Sequence, residues 1–239
     1  MNKISIIIPS LNEENYLPIL LSNIFTQNLF IHEVIIVDGF SSDKTLEKIK
    51  RFNVKIIQTR PSVSFQRNEG AKISTGDILI FIDSDAKLRA NILNEIMTEF
   101  ERKKLSIAST LYNPYDGDLI IKLIYNILNL GFYFSQRLNP TGGGSFIIIK
   151  RGLFNKLNGF NQDLELTEDI DFFRRAAKIA KFAIISLKVD ISARRFNKYG
   201  KFKTTWFYLK LSFFLIFNKL ELINKLKYKF GEYDKSNNI

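Results

Sequence analysis

Two aspartates flank one small residue in Asp83-Ser84-Asp85, directly after the apolar run Ile78 to Ile82. Mg²⁺ and Mn²⁺ take oxygen ligands, often one or two carboxylates completed by phosphate oxygens. A pair spaced this way suits a divalent ion shared with a diphosphate. Two solvated acids in a surface turn would read the same, and the position at the end of a strand is what separates the two. A second acidic pair, Glu168-Asp169, opens a helical pattern. A carboxylate there can take a proton from an attacking hydroxyl, best when its pKa is raised. Thr167 as a helix cap, and acids drawn to a helix N-terminus by its dipole, are the plainer account. His32 is the single histidine and precedes a strand, so it reads as a surface residue. No histidine-based triad and no histidine-rich metal site is expected.

The elements that must position these acids read as α/β. Ile4 to Ile8, Val34 to Val37, Val54 to Ile57 and Ile78 to Ile82 are apolar strand runs. Amphipathic segments alternate with them: Glu14 to Gln27, Ser42 or Asp43 to Phe52, Ser64 to Ser74 and Asn91 to Lys103. Continuous apolar strands of this kind imply a mostly parallel, Rossmann-like sheet with helices on both faces. Ligands of such sheets bind beyond the carboxyl ends of the strands. Pro9 to Glu13, Asp38, Arg60 and Asp83 to Asp85 all fall there. Farther on, Leu105 to Thr110, Phe146 to Ile149 and Ala183 to Val189 read as strands, and Leu119 to Phe134 and Asp169 to Lys181 as helices. Capping and turn formation would also account for Glu13 and Asp38 taken singly.

The run Ser5 to Glu14 resembles the opening of family 2 glycosyltransferases of the GT-A fold. Glu33 to Asp38 with Ser41 to Thr45 resembles their second block. Arg67-Asn68-Glu69-Gly70-Ala71 through Asp83-Ser84-Asp85 resembles the third, and Gly159-Phe160 with Glu168 to Asp171 the acceptor-side block. These stand in the family's order over residues 3 to 196. The resemblance implies an inverting transfer of a sugar from a nucleotide-diphosphate sugar, with Mg²⁺ or Mn²⁺. Pro9, Leu11 and Glu13 would cradle the nucleoside, and Asp38 would accept from the base. Arg67 would sit near the base or the phosphates. Asp83 would approach the ribose or the metal, Asp85 would be the main metal ligand with Ser84 between them, and Asp169 would be the base. Gly143, Gly144, Glu168, Arg194 and Arg195 would serve the acceptor or the leaving group. Ser192 and Phe196 depart from the Gln, Arg and Trp motif of processive synthases, which implies a non-processive enzyme. The implied division is 1–104 for the nucleotide, 105–200 for the acceptor and 201–239 as a basic amphipathic helical tail.

The chain of 239 residues carries a net charge of +11 and no cysteine. Nine of those positive charges fall between Arg194 and Lys229. Anionic partners are therefore expected at the tail. The absence of cysteine excludes a disulfide framework and fits a reducing compartment. The N-terminal apolar run is too short for a signal peptide and reads as the first strand. Trp206 to Phe217 as a helix is ~18 Å long against ~30 Å of bilayer hydrocarbon. Leu209, Phe213, Ile216, Leu220 and Ile223 recur at helical spacing among lysines, the pattern of an interfacial helix. A cytoplasmic enzyme, peripheral on the inner face of the membrane, is expected, with a polyprenyl phosphate or lipid-linked saccharide as acceptor and no nucleic acid. Packing on the sheet or in a homodimer would also use Leu119 to Phe134. A sugar-phosphate nucleotidyltransferase would need a Gly-rich, Arg-containing loop after the first strand, where Pro9-Ser10-Leu11-Asn12-Glu13 has no glycine. A non-catalytic basic protein would leave the acids at the strand ends without a role.

Overall fold

A computed structural model describes residues 2–136, 140–164 and 166–216. Its elements are β1 (Ile4–Ser10), α1 (Leu17–Phe25), β2 (Glu33–Asp38), α2 (Thr45–Ile49), β3 (Lys55–Gln58), α3 (Val63–Ile73), β4 (Ile78–Ile82), β5 (Ala86–Lys87) and α4 (Ile92–Arg102). The second part adds β6 (Ile107–Pro114), α5 (Leu119–Ser135), β7 (Phe146–Lys150), α6 (Arg151–Lys156), α7 (Glu168–Ala177), β8 (Phe182–Ile191), α8 (Arg194–Tyr199) and α9 (Lys201–Ile216). All strands join one eight-stranded sheet in the order β3-β2-β1-β4-β7-β6-β8-β5.

The first four strands are parallel, as their apolar runs predict. β1 and β4 are buried at every residue, because helices cover the sheet on both faces. On one face Leu17, Leu20, Leu21 and Ile24 of α1 and Ile92, Leu93 and Ile96 of α4 pack on Ile6, Ile8 and Ile80. On the other, Phe154, Phe160, Phe172 and Phe173 pack on Ile7, Leu79 and Phe81. Each such large apolar side chain contributes about 1.5–3 kcal/mol by leaving water. The second half departs from a parallel reading. β7 runs antiparallel to both β4 and β6, and the two-residue β5 runs antiparallel to β8. Periodicity marks a buried strand but carries no direction, so β7 gave no sign of its reversal.

Two helices begin later than their sequence patterns. α2 starts at Thr45 because the Asp43 carboxylate accepts the amides of Thr45 (2.9 Å) and Glu14 (3.2 Å), which holds the preceding residues in a turn. α1 starts at Leu17 after the Glu13 carbonyl has taken the amides of Tyr16 and Leu17.

α5 is anchored on one side only. Ile121, Tyr125 and Asn129 are buried, and Asn129 bonds both backbone groups of Tyr112, at 2.9 and 2.8 Å. Its outer side exposes Ile120, Leu123, Ile127, Leu130 and Phe134. α9 packs Tyr208 on Phe196 and exposes Phe202, Trp206 and Leu209 on another side. Lys201 pairs with Asp118 at the head of α5. No helix among the described residues is long and apolar enough to cross a membrane. Residues 217–239, which include Leu220 and Ile223 of the expected stripe, lie outside the described residues.

Candidate active site

Parallel pairing sets the carboxyl ends of β2, β1 and β4 side by side, with Ser10 opposite Asp38. Gln66 on α3 fastens two of these ends by donating to the carbonyls of Ser10 (2.9 Å) and Val37 (2.6 Å). Pro9 stands next to last in β1, in register with Val37, and Leu11 follows the strand half-buried. Asp38 is fully buried; its carboxylate accepts the Ser41 amide at 2.9 Å, the Ser41 hydroxyl, and Gln58 Nε2 at 3.1 Å. That network shapes the turn after β2.

Two ionic clusters stand at the next strand ends, joined by the Asp83-Ser84-Asp85 turn. In the first, the Arg194 guanidinium grips both oxygens of Glu13 at 2.7 and 2.8 Å. Its Nε meets Asp85 Oδ2 at 2.9 Å, and its face lies over the Tyr16 ring. Ser84 is buried beside them and bonds Glu13. Burial pushes the Glu13 carboxyl up to about 7 against the pull of Arg194. Asp85 is also raised by burial, with Arg194 opposing and the Asp83 charge adding to the rise. Arg195 lies half-buried in the first turn of α8 and adds positive potential at Asp85.

In the second cluster Arg67, 1% exposed, reaches from α3 to Asp83 (2.8 Å), Glu168 (3.2 Å) and the Gly144 carbonyl (2.9 Å). Burial works against its charge, while Asp83, Glu168 and Asp169 raise its pKa and keep it ionised. Burial raises Glu168 to about 7, with the Asp169 charge pushing the same way and Arg67 opposing. Asp169 is raised by burial too, against Arg67 and the Ile170 amide it accepts at 2.8 Å. A carboxyl held as Glu168 is can exchange its proton near neutrality.

The glycine run is a packing device. A Cβ on Gly144 would stand 2.6 Å from Asp169 Oδ2, and one on Gly143 2.0 Å from the Tyr112 ring. Only glycine lets this loop lie against both side chains. The Tyr112 hydroxyl donates to the Gly143 carbonyl at 2.6 Å and so holds the loop. Sequence reasoning missed Tyr112, whose place in an apolar strand marks it only as core. The pairing of Glu13 with Arg194, 181 residues apart, has no local signal either.

The sites expected from the sequence thus fall into a Glu13–Asp85–Arg194 group, an Asp83–Arg67–Glu168 group with Asp169 and Gly144, and Asp38 at the neighbouring strand end. His32 is exposed and bonds Thr75, away from all three. Among the described residues no three acids, histidines or cysteines form a complete metal cage. Asp83 and Asp85 supply two hard oxygen ligands, which fits an ion that takes its remaining ligands from phosphate and water.

A sheet whose carboxyl edge gathers acids and arginines defines an α/β protein of the kind that binds ligands at its strand ends. The chain belongs to glycosyl transferase family 2, whose sequence profile matches residues 5–158. It is 29% identical over 196 residues to an uncharacterized glycosyltransferase of Haemophilus influenzae, covering 75% of this chain and 63% of that protein. It is 33% identical over 175 residues to the dolichyl N-acetyl-alpha-D-glucosaminyl phosphate 3-beta-D-2,3-diacetamido-2,3-dideoxy-beta-D-glucuronosyltransferase of Methanococcus voltae, covering 65% of this chain and 50% of that one. The chain therefore spans between half and two thirds of these relatives' lengths. Its fold is GT-A. The mannosyltransferase PcManGT of Pyrobaculum calidifontis, solved with GDP-Man and Mn²⁺, superposes with a TM-score of 0.67 at 21% identity, over 80% of this chain and 57% of that one. The profile match ends before Glu168, Asp169 and Arg194, whose roles rest on their geometry.

Proposed function

We propose that this chain is an inverting, non-processive transferase that moves a sugar from a UDP- or GDP-sugar to a lipid-linked acceptor, using Mg²⁺ or Mn²⁺. The observation that carries this is the Gly144–Ser145 loop, which takes the Asp83 amide on the Ser145 carbonyl at 3.1 Å and lies against the half-buried Asp169 carboxylate at Gly144. The nucleotide half is 1–104 and the acceptor half 105–200. Pro9, Leu11, Glu13 and Asp38 line the nucleoside side, and Ser84 holds the turn. Asp85, helped by Asp83, ligates the ion; bound there, a divalent ion supplies electrostatic stabilisation to the departing diphosphate. Arg194 and Arg195 add positive charge on the same side. The acceptor oxygen attacks the anomeric carbon opposite the diphosphate. The new C–O bond forms as the sugar–phosphate bond breaks, and the hydroxyl proton passes to the Asp169 carboxylate. Gly143 and Gly144 let the backbone close round that carboxylate, and Glu168 keeps Arg67 in place behind it.

The GDP-Man and Mn²⁺ of the Pyrobaculum enzyme support the donor and metal classes. The dolichyl-linked acceptor in the name of the Methanococcus relative supports a lipid carrier. The apolar outer side of α5, the Phe202, Trp206 and Leu209 stripe of α9 and the basic tail support attachment to an anionic cytoplasmic leaflet. Released nucleotide from a panel of UDP- and GDP-sugars, with and without Mn²⁺, tests the reaction. Metal-dependent hydrolysis of one donor, abolished by Asp85→Ala, is expected; no turnover or binding of any donor would overturn it. Co-sedimentation with anionic liposomes tests attachment, which removal of residues after Lys203 should abolish.

A further inference from the structure

Arg67 touches both the Asp83-Ser84-Asp85 turn and the head of α7. Its Nη2 donates to Asp83 and the Gly144 carbonyl, and its Nη1 donates to Glu168. The guanidinium plane rests near the Phe160 ring, 5.2 Å from its centroid. It is walled off from solvent, so it does not meet a ligand of the cleft directly. A buried charge with two carboxylate partners divides its attraction between them, and loss of one partner is felt by the other. A guanidinium can fork to two carboxylates at fixed angles, whereas an ammonium is a single point charge.

We propose that Arg67 is a positioning residue that couples the two halves of the reaction, so that the state of Glu168 on the acceptor side sets how strongly Asp83 engages the nucleotide and its ion. The coupling rests on the donor-site reading above. Neutralising Glu168 leaves Arg67 to Asp83 alone, and Asp83 is drawn away from the ion. By linkage, a filled donor site pulls on Arg67 less, and Arg67 holds Glu168 and the head of α7 more firmly. An acceptor that meets Asp169 after the donor has bound would then find that helix already set.

The test is a double-mutant cycle read by calorimetric binding of UDP or GDP with Mn²⁺, not by turnover. Wild type, Glu168→Gln, Asp83→Asn and the pair are compared, each checked by thermal melting. Glu168→Gln is expected to weaken nucleotide–Mn²⁺ binding by about threefold or more, the scale of coupling between groups in one ionic network. That effect should vanish in the Asp83→Asn background. An unchanged affinity in Glu168→Gln, or a loss that persists undiminished without Asp83, would overturn the coupling, the latter showing only the field of a lost charge. Arg67→Lys, which keeps the charge but not the fork, should also erase the Glu168→Gln effect. Should Arg67→Lys fail to fold, the cycle on Asp83 still decides. Absence of nucleotide–Mn²⁺ binding in the wild type would instead sink the donor reading itself.

Discussion

Glu33 and Glu168 occupy opposite ends of the same sheet and are held in opposite ways. Glu33 opens β2 at the amino edge. Its carboxylate accepts from Ser5 (2.7 Å), Lys55 (2.7 Å), and the amide (2.6 Å) and hydroxyl (3.0 Å) of Thr75. Burial pushes its pKa up, but those donors outweigh it and bring it down to about 2. At the carboxyl edge Glu168 is half-buried with an acid neighbour and one arginine, and rises to about 7. One acid is saturated with donors and fixed as a permanent anion that ties β1, β2 and the β4 approach together. The other is left short of donors, with its proton available in the working range. The contrast separates scaffold from machinery among residues of one type.

The largest break in that contrast is expected at the carboxyl edge. Asp85→Asn should cut donor turnover by about 10³-fold or more, because it removes the proposed main ligand of the ion; it also weakens the pairing with Arg194 Nε, so melting temperature is read alongside turnover. Asp169→Asn should cost about 10²–10⁴-fold with a hydroxyl acceptor. With a phosphate acceptor, which is already ionised, it should cost little, so the same variant assayed on both acceptor types identifies the class. Gly144→Ala comes next. Its methyl must displace the Asp169 carboxylate, and a displacement near 1 Å is worth about 10²-fold in rate; kcat measured at saturating donor should fall with donor affinity retained.

Smaller effects sharpen the comparison through pH. Glu168 keeps its proton in the fold up to about 7, against 4.5 for the free side chain. The folded state therefore binds more protons between those values, and stability falls as pH rises from 4.5 to 7. Glu33 has the opposite sign: its contribution is present above 4.5 and is lost as pH falls toward 2. Melting temperatures across pH 2 to 8 should show Glu168→Gln flattening the upper window and Glu33→Gln flattening the lower. Glu33→Gln should also cost about 1 kcal/mol at pH 7 with unchanged kcat. A large loss of turnover in Glu33→Gln would erase the division between the two edges.

The sheet's first half was legible because β1, β2 and β4 are buried and read as unbroken apolar runs, with acids after three of the four runs and Arg60 after the third. What stayed hidden was what no local pattern encodes. β7 reverses direction with the same isoleucines a parallel strand would use. α8 is too short to show a period, and β5 is two residues long. Asp83, Asp85 and Asp169 were found as acids at strand and helix ends. That Arg67 lies behind them, and that Glu13 and Asp85 share Arg194, follows from residues 16 to 181 positions apart meeting in space. The glycine run was ambiguous in sequence and became specific once Asp169 and Tyr112 were seen against it.

The clasp between Glu13 and Arg194 also sets a schedule. During synthesis the glutamate emerges early and the arginine ~180 residues later, roughly 10–40 s at ordinary elongation rates. Until α8 arrives, Glu13 and Asp85 face each other with no cation of their own chain between them. β1 to β4 can pair as parallel strands in that interval, but their acidic edge is self-repelling. Completion of the pocket therefore waits for α8, and a nascent chain halted before Arg194 would carry the sheet without a closed site.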